Sequence, residues 1–134
     1  MVCLNPEDIS QQSLLRKASR LAGKLNTDWF VVYIETPSDK PELIDSAKQR
    51  NLYSDIQLSQ QLGAEFIQLR ANERFNGWLH FAESEQIRHI VLSNRKSSLI
   101  ENVFQNTLIH KFLSTNRFEI HIIPTSNKLE EEVL

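Results

Sequence analysis

Apolar and polar positions follow two rhythms along this chain, and the rhythms take turns. The first apolar run, Val2-Cys3-Leu4, is short and buried in character, and Asn5-Pro6 ends it as a turn signal. Leu14, Leu15, Ala18, Leu21, Ala22 and Leu25 then recur at three-and-four spacing, with Arg16, Lys17, Arg20 and Lys24 mostly outside that stripe. This predicts a helix with Ser10 as its N-cap and Asn26 at its end. Residues 29–34, WFVVYI, form an unbroken apolar run. A strand covered on both faces reads this way, and such strands belong to parallel sheets sandwiched by helices.

Glu35-Thr36-Pro37 closes that strand, and residues 38–41 read as a loop. A polar helical region runs from Glu42 to about Leu62, with Leu43, Ile44, Ala47, Leu52, Ile56 and Leu62 predicted to face inward and Gly63 as its stop. Residues 65–69, EFIQL, alternate and predict a third strand nearer an edge. Phe75, Trp78, Leu79 and Ala82 predict a short helix. A fourth strand at 89–92 leads into a polar loop at 93–98, then an amphipathic helix carrying Ile100, Val103, Phe104, Thr107, Leu108 and Phe112 on one face. Residues 118–123, FEIHII, predict a fifth strand, with Pro124 as its stop. The alternation of strand and helix implies an α/β fold, a three-layer, doubly wound parallel sheet with right-handed crossovers. One domain spans 1–124, and 125–134 form an acidic tail.

Composition narrows the function classes. The 134 residues are enough for one domain with a real core. A net charge of −2 gives no electrostatic basis for nucleic-acid binding, so none is expected. No apolar stretch approaches a membrane span, and the N-terminus lacks a signal-peptide pattern, so the segment reads as cytoplasmic with no membrane contact. The single cysteine, Cys3, excludes an intrachain disulfide and reads as a small buried strand residue rather than a nucleophile.

The chemistry-bearing residues gather at one edge. Ligands of doubly wound sheets sit at the carboxyl ends of the strands, near the reversal in strand order. That edge collects residues 5–8, 35–37 and 93–98. The helix N-terminus after the fourth strand favours an anion, and Arg95 and Lys96 sit at its mouth. The loop contains no glycine, however, and the turn after the first strand, Asn5-Pro6-Glu7-Asp8, carries no dinucleotide fingerprint. Glu7 and Asp8 read as helix-starting acids. Paired cysteines, a lysine phosphate loop and a nucleophile elbow are all absent. The histidines, His80, His89, His110 and His121, fall on different elements without metal-ligand spacing and read as surface or interface residues. Neither a metal site nor a catalytic residue is expected, and no general base stands near the loop to hydrolyse ATP.

These residues resemble a known group. The segment Val32-Tyr33-Ile34-Glu35-Thr36-Pro37 resembles the VYVETP signature of KdpD-type potassium sensor kinases. LSQQLGAE at 58–65 resembles the LAEELGAE stretch of the same group, and Arg20-Leu21-Ala22 is similar as well. The chain thus resembles the universal stress protein fold, and within it the stress-protein-like domain of KdpD-type kinases. The resemblance implies the adenine nucleotide alpha hydrolase-like architecture with strand order 3-2-1-4-5.

It also implies a site. Nucleotide-binding universal stress proteins carry Gly, two residues, Gly, nine residues, then Gly and Ser or Thr. That spacing lands on Ser93, Lys96, Asn106 and Thr107, so all three glycines are replaced. Side chains now stand where backbone would approach phosphate. The family's acidic residue after the first strand is Asn5 here. Cyclic di-AMP binding in some KdpD domains uses a Ser-x-Ser turn and a Phe-Thr-Ala-x-Tyr strand. Of these only the aromatic start and Tyr33 fit, and Glu7 opposes a phosphate. The resemblance therefore implies a non-catalytic regulatory module of a potassium- or osmotic-stress signalling protein, with no certain cofactor. The alternative is a sensor holding a weakly bound adenine nucleotide (ATP or cyclic di-AMP) or other anion at Asn5, Tyr33, Ser93, Arg95, Lys96, Asn106 and Thr107. Partners implied are a second copy, paired through Phe118, Ile120 and Ile122 of the fifth strand, and the other domains of a sensor kinase.

Overall fold

A computed structural model of the chain describes residues 1–5, 11–39, 46–95 and 99–125, the side chains of 94, 95, 99–106 and 125 apart. Strands and helices alternate: β1 (Val2–Leu4), α1 (Gln12–Leu25), β2 (Phe30–Glu35), a 3-10 turn (Pro37–Asp39), α2 (Ser46–Gln61), β3 (Glu65–Arg70), α3 (Arg74–Ser84), β4 (His89–Arg95), α4 (Leu99–Ser114) and β5 (Glu119–Thr125). The five strands form one parallel sheet in the order β3-β2-β1-β4-β5, the order the family resemblance implied. Expectations that fall on Pro6, Glu7, Asp8, Ser10, Glu42, Leu43, Ile44, Lys96 and the tail at 126–134 lie outside the described residues.

Period-two alternation splits the apolar side chains between two faces. Cys3, Val32, Ile34, Ile90 and Leu92 point to one face, where Trp78, Phe81 and Ala82 of α3 and Leu108 and Phe112 of α4 cover them. Val2, Leu4, Val31 and Val91 point to the other, covered by Leu14, Leu15 and Ala18 of α1 and Leu58 of α2. Trp78 is fully buried and its indole N–H donates to the Val32 carbonyl oxygen at 3.0 Å, which ties α3 to the middle of β2. Phe112 of α4 packs edge-on against Phe75 and Phe118.

Several boundaries follow expectation. Asn26 ends α1 in the left-handed conformation, and Gly63 follows α2 with φ +91°. Other expectations are corrected. β4 runs three residues past Leu92, because Ser93, Asn94 and Arg95 pair in register with Ile123, Pro124 and Thr125 of β5. The polar identity of those residues signalled a loop, yet backbone pairing does not depend on it. Pro124 therefore lies inside β5 rather than stopping it. β5 pairs with β4 on one side, and an edge strand is where a residue without an N–H is tolerated. Ala47 is exposed, while Leu52, Ile56 and Leu62 pack against the core as expected and α2 also buries Asp55, Leu58 and Ser59. Thr107 is exposed, although it was expected on the inner face of α4. Among the described residues no helix is long and apolar enough to cross a membrane.

Candidate functional site

The order of strands reverses between β1 and β4. β1 pairs with β2 at three positions but with β4 only at Val2–Val91, so the crevice of the doubly wound sheet opens there at the carboxyl edge. Asn5 leaves β1 at this edge, and Ser93 continues β4 beside it as a buried strand residue. Tyr33 lies one strand over, paired with Leu4. The structure thus gathers Asn5, Tyr33 and Ser93 at one end of the sheet. It places Arg95 as the last residue of β4 rather than in a loop, and Asn106 within α4. The side chains of both, like Lys96 as a whole, lie outside the described residues.

Polar groups around the β1 exit are held by buried contacts. Asp55 of α2, itself 2% exposed, accepts the Gln11 backbone N–H on both carboxylate oxygens at 3.1 and 3.0 Å. A neighbouring helix thereby supplies the N-terminal cap that α1 does not draw from its own first residue. Gln11 Nε2 donates to the Asn5 carbonyl oxygen at 2.9 Å. Asn5 Oδ1 and Gln11 Oε1 are buried with no hydrogen-bond partner among the described residues.

At the exit of β2 a second network closes the edge. The Thr36 N–H and hydroxyl donate to Asp39 Oδ2 at 2.9 and 3.1 Å, which winds Pro37–Asp39 into the 3-10 turn. The Arg74 guanidinium, at the first residue of α3, grips both oxygens of Asp39. The Tyr33 phenol lies in the field of the same carboxylate. Burial first, and the Asp39 charge second, push the Tyr33 phenol up to about 12. Tyr33 is therefore held neutral beside Asp39.

Thr107 opens onto a separate cleft of about 200 Å³, shared with Thr36, Ser38, Arg74 and Lys111. Both cations of this cleft are engaged: Arg74 by Asp39, and Lys111 by Glu73 at 2.9 Å. The arrangement supplies positive charge that is already neutralised, a poor start for holding a polyphosphate. Cys3 is buried, and burial holds its thiol far above the ordinary range, so it offers no nucleophile.

Sequence reasoning missed the residues that matter here. Asp39 and Arg74 are separated by 35 positions and meet only through the pairing of β2 with β3. His89 and His121 lie on different strands, yet their rings meet with Nδ1 and Nε2 3.0 Å apart. Burial and the adjoining His89 imidazole lower the His121 pKa below the ordinary histidine value. The signal that could have found this pair was the predicted adjacency of the fourth and fifth strands.

No protein-family model matches the chain. Its sequence is 29% identical over 97 residues to the sensor protein KdpD of Escherichia coli (strain K12), covering 72% of this chain and 10% of that protein. The chain therefore spans about a tenth of the length of that relative. Among solved structures, a universal stress protein from Archaeoglobus fulgidus superposes with TM-score 0.63 at 20% identity, covering 92% of this chain and 94% of the other. A universal stress protein solved in complex with cAMP gives 0.59 at 12% identity, covering 95% and 94%. One from Burkholderia pseudomallei gives 0.56 at 18%, covering 92% and 96%. The chain has the fold of universal stress proteins and is similar in sequence to a segment of KdpD.

Proposed function

We propose that this chain is a non-catalytic cytosolic regulatory domain of a KdpD-type osmosensitive potassium sensor kinase, or of a related stress-signalling protein, and that it acts through protein contacts. One observation carries the reading: the stretch running from β4 into α4 has Ser93, Lys96 and Asn106 where nucleotide-binding relatives of this fold carry glycine, in a chain similar to KdpD. The engaged state of Arg74 and Lys111 supports it. Phosphotransfer then belongs to parts of a sensor kinase outside this chain. The test is isothermal titration of the folded domain with ATP and with cyclic di-AMP at low salt. Neither is expected to give a saturable heat, and a saturating isotherm with either overturns the reading.

The partner surface in this proposal is the outer edge of β5, through which two copies pair. Ile122 is exposed there, while Phe118 and Ile120 pack partly on the core. Ile120→Pro removes a ladder donor and is expected to shift sedimentation from dimer to monomer. An unchanged profile, or a monomeric wild-type domain, removes this part of the proposal.

A second reading rests on a different observation. Asn5 Oδ1 and Gln11 Oε1 are buried acceptors without partners among the described residues, at the edge where ligands of this architecture bind. A base bearing an amino group suits such acceptors, and a relative of the same fold was solved in complex with cAMP. In this reading the domain senses a nucleotide through its base. Gln11→Leu then abolishes the titration heat, whereas an unchanged isotherm in that variant rejects it.

A further inference from the structure

The far end of the sheet, opposite the nucleotide edge of this fold, carries a cluster that neither reading uses. β4 and β5 run parallel with His89 directly beside Glu119 and Val91 beside His121. Residues two apart on a strand share a face, so His89, Glu119 and His121 project together on one side of the sheet. His89 Nδ1 stands 3.0 Å from His121 Nε2 and 3.1 Å from Glu119 Oε2. One ligand atom from each residue lies within 4.8 Å of the others.

The geometry points to a divalent transition-metal site, of the zinc class, formed by His89 Nδ1, His121 Nε2 and Glu119 Oε2. Two imidazoles and one carboxylate are the donor set of zinc sites that keep an open fourth position for water. A metal–nitrogen bond of about 2.0–2.1 Å in a tetrahedron sets neighbouring ligand atoms about 3.3–3.4 Å apart. The separations of 3.0 and 3.1 Å therefore need to widen by only a few tenths of an ångström to admit the ion. Both imidazoles come from backbone already fixed by cross-strand pairing, so little ordering remains to be done on binding. Glu119 is more exposed, at 64% for its side chain, and can swing to complete the set. The nitrogen donors select against magnesium and calcium, which take oxygen ligands. His89 also lines a cavity of about 330 Å³ beneath α1.

The test uses the full chain, untagged and stripped with a chelator that is then removed. Titration with Zn2+ is expected to saturate at one ion per chain, with no saturable binding of Mg2+. Co2+ is expected to give the visible absorption of a tetrahedral ion. His121→Asn and Glu119→Gln, each checked for unchanged circular dichroism, are expected to weaken Zn2+ by about 100-fold and 10-fold, since even outer-shell partners of metal sites are worth factors of this size. The exposed Glu119 can change without disturbing the core, so that variant stays informative if His121→Asn unfolds. Wild-type protein that shows no saturation with Zn2+, or Zn2+ affinity unchanged in Glu119→Gln and His121→Asn, overturns the assignment.

Discussion

Asp39 and Arg74 lock the carboxyl end of β2 to the start of α3 through an ion pair in which Arg74 Nη2 reaches both carboxylate oxygens, the side chains being 6% and 19% exposed. The same carboxylate takes the Thr36 N–H and the Thr36 hydroxyl, so one residue organises both the turn after β2 and the start of the helix. Removing one member of a buried pair leaves the other charge desolvated and unpaired, a cost of about 3–5 kcal/mol. Asp39→Ala is therefore expected to lower unfolding stability by about 3 kcal/mol, read from the urea midpoint at constant slope. Asp39→Leu combined with Arg74→Leu is expected to lose much less than the single variant.

Tyr33 makes this network sensitive to alkali. Its pKa is raised to about 12 from 10 in the folded domain. Between those values the unfolded chain has given up the phenolic proton and the folded chain retains it. Stability from this group is thus complete below pH 10 and falls as pH rises toward 12. Wild-type protein is expected to lose stability across that window, and Tyr33→Phe to show a shallower decline.

Trp78 anchors α3 to the sheet. Trp78→Phe leaves the indole cavity partly empty and deprives the Val32 carbonyl of a 3.0 Å hydrogen bond. The expected loss is about 2 kcal/mol, measured by thermal or denaturant unfolding.

Two helical glycines should respond in opposite senses. Nothing lies within 4 Å of a Cβ built on exposed Gly23 in α1, so Gly23→Ala is expected to stabilise by about 0.5–1 kcal/mol. A Cβ on Gly77 of α3 meets two side-chain atoms of the fully buried Ile34 at 3.0 Å and the Ala71 Cβ at 3.1 Å. Gly77→Ala is expected to destabilise by about 1–3 kcal/mol through overpacking. Melting temperatures of the two variants decide both.

The sheet was legible in the sequence because its signal is local. The WFVVYI run can satisfy itself only as a strand covered on both faces, and the stripe from Leu14 to Leu25 only as a helix lying on such a strand. Asn26 and Gly63 marked helix ends because few other residues accept positive φ. The site was less legible because it depends on register. Ser93, Asn94 and Arg95 read as loop until β5 pairs with them. Asp39 finds Arg74, and His89 finds His121, only after strands distant in sequence have aligned. Polar spacing along one element carries no trace of such meetings.

We propose that the glycine-free stretch from β4 into α4 leaves this domain without a nucleoside-triphosphate site. Titration of ATP at low salt into the folded wild-type domain tests it most directly, beside a variant carrying Ser93→Gly, Lys96→Gly and Asn106→Gly. No saturable heat is expected for the wild-type chain, and a measurable isotherm is expected for the glycine variant, in which backbone can approach the phosphates. A saturating wild-type isotherm with unit stoichiometry would contradict it.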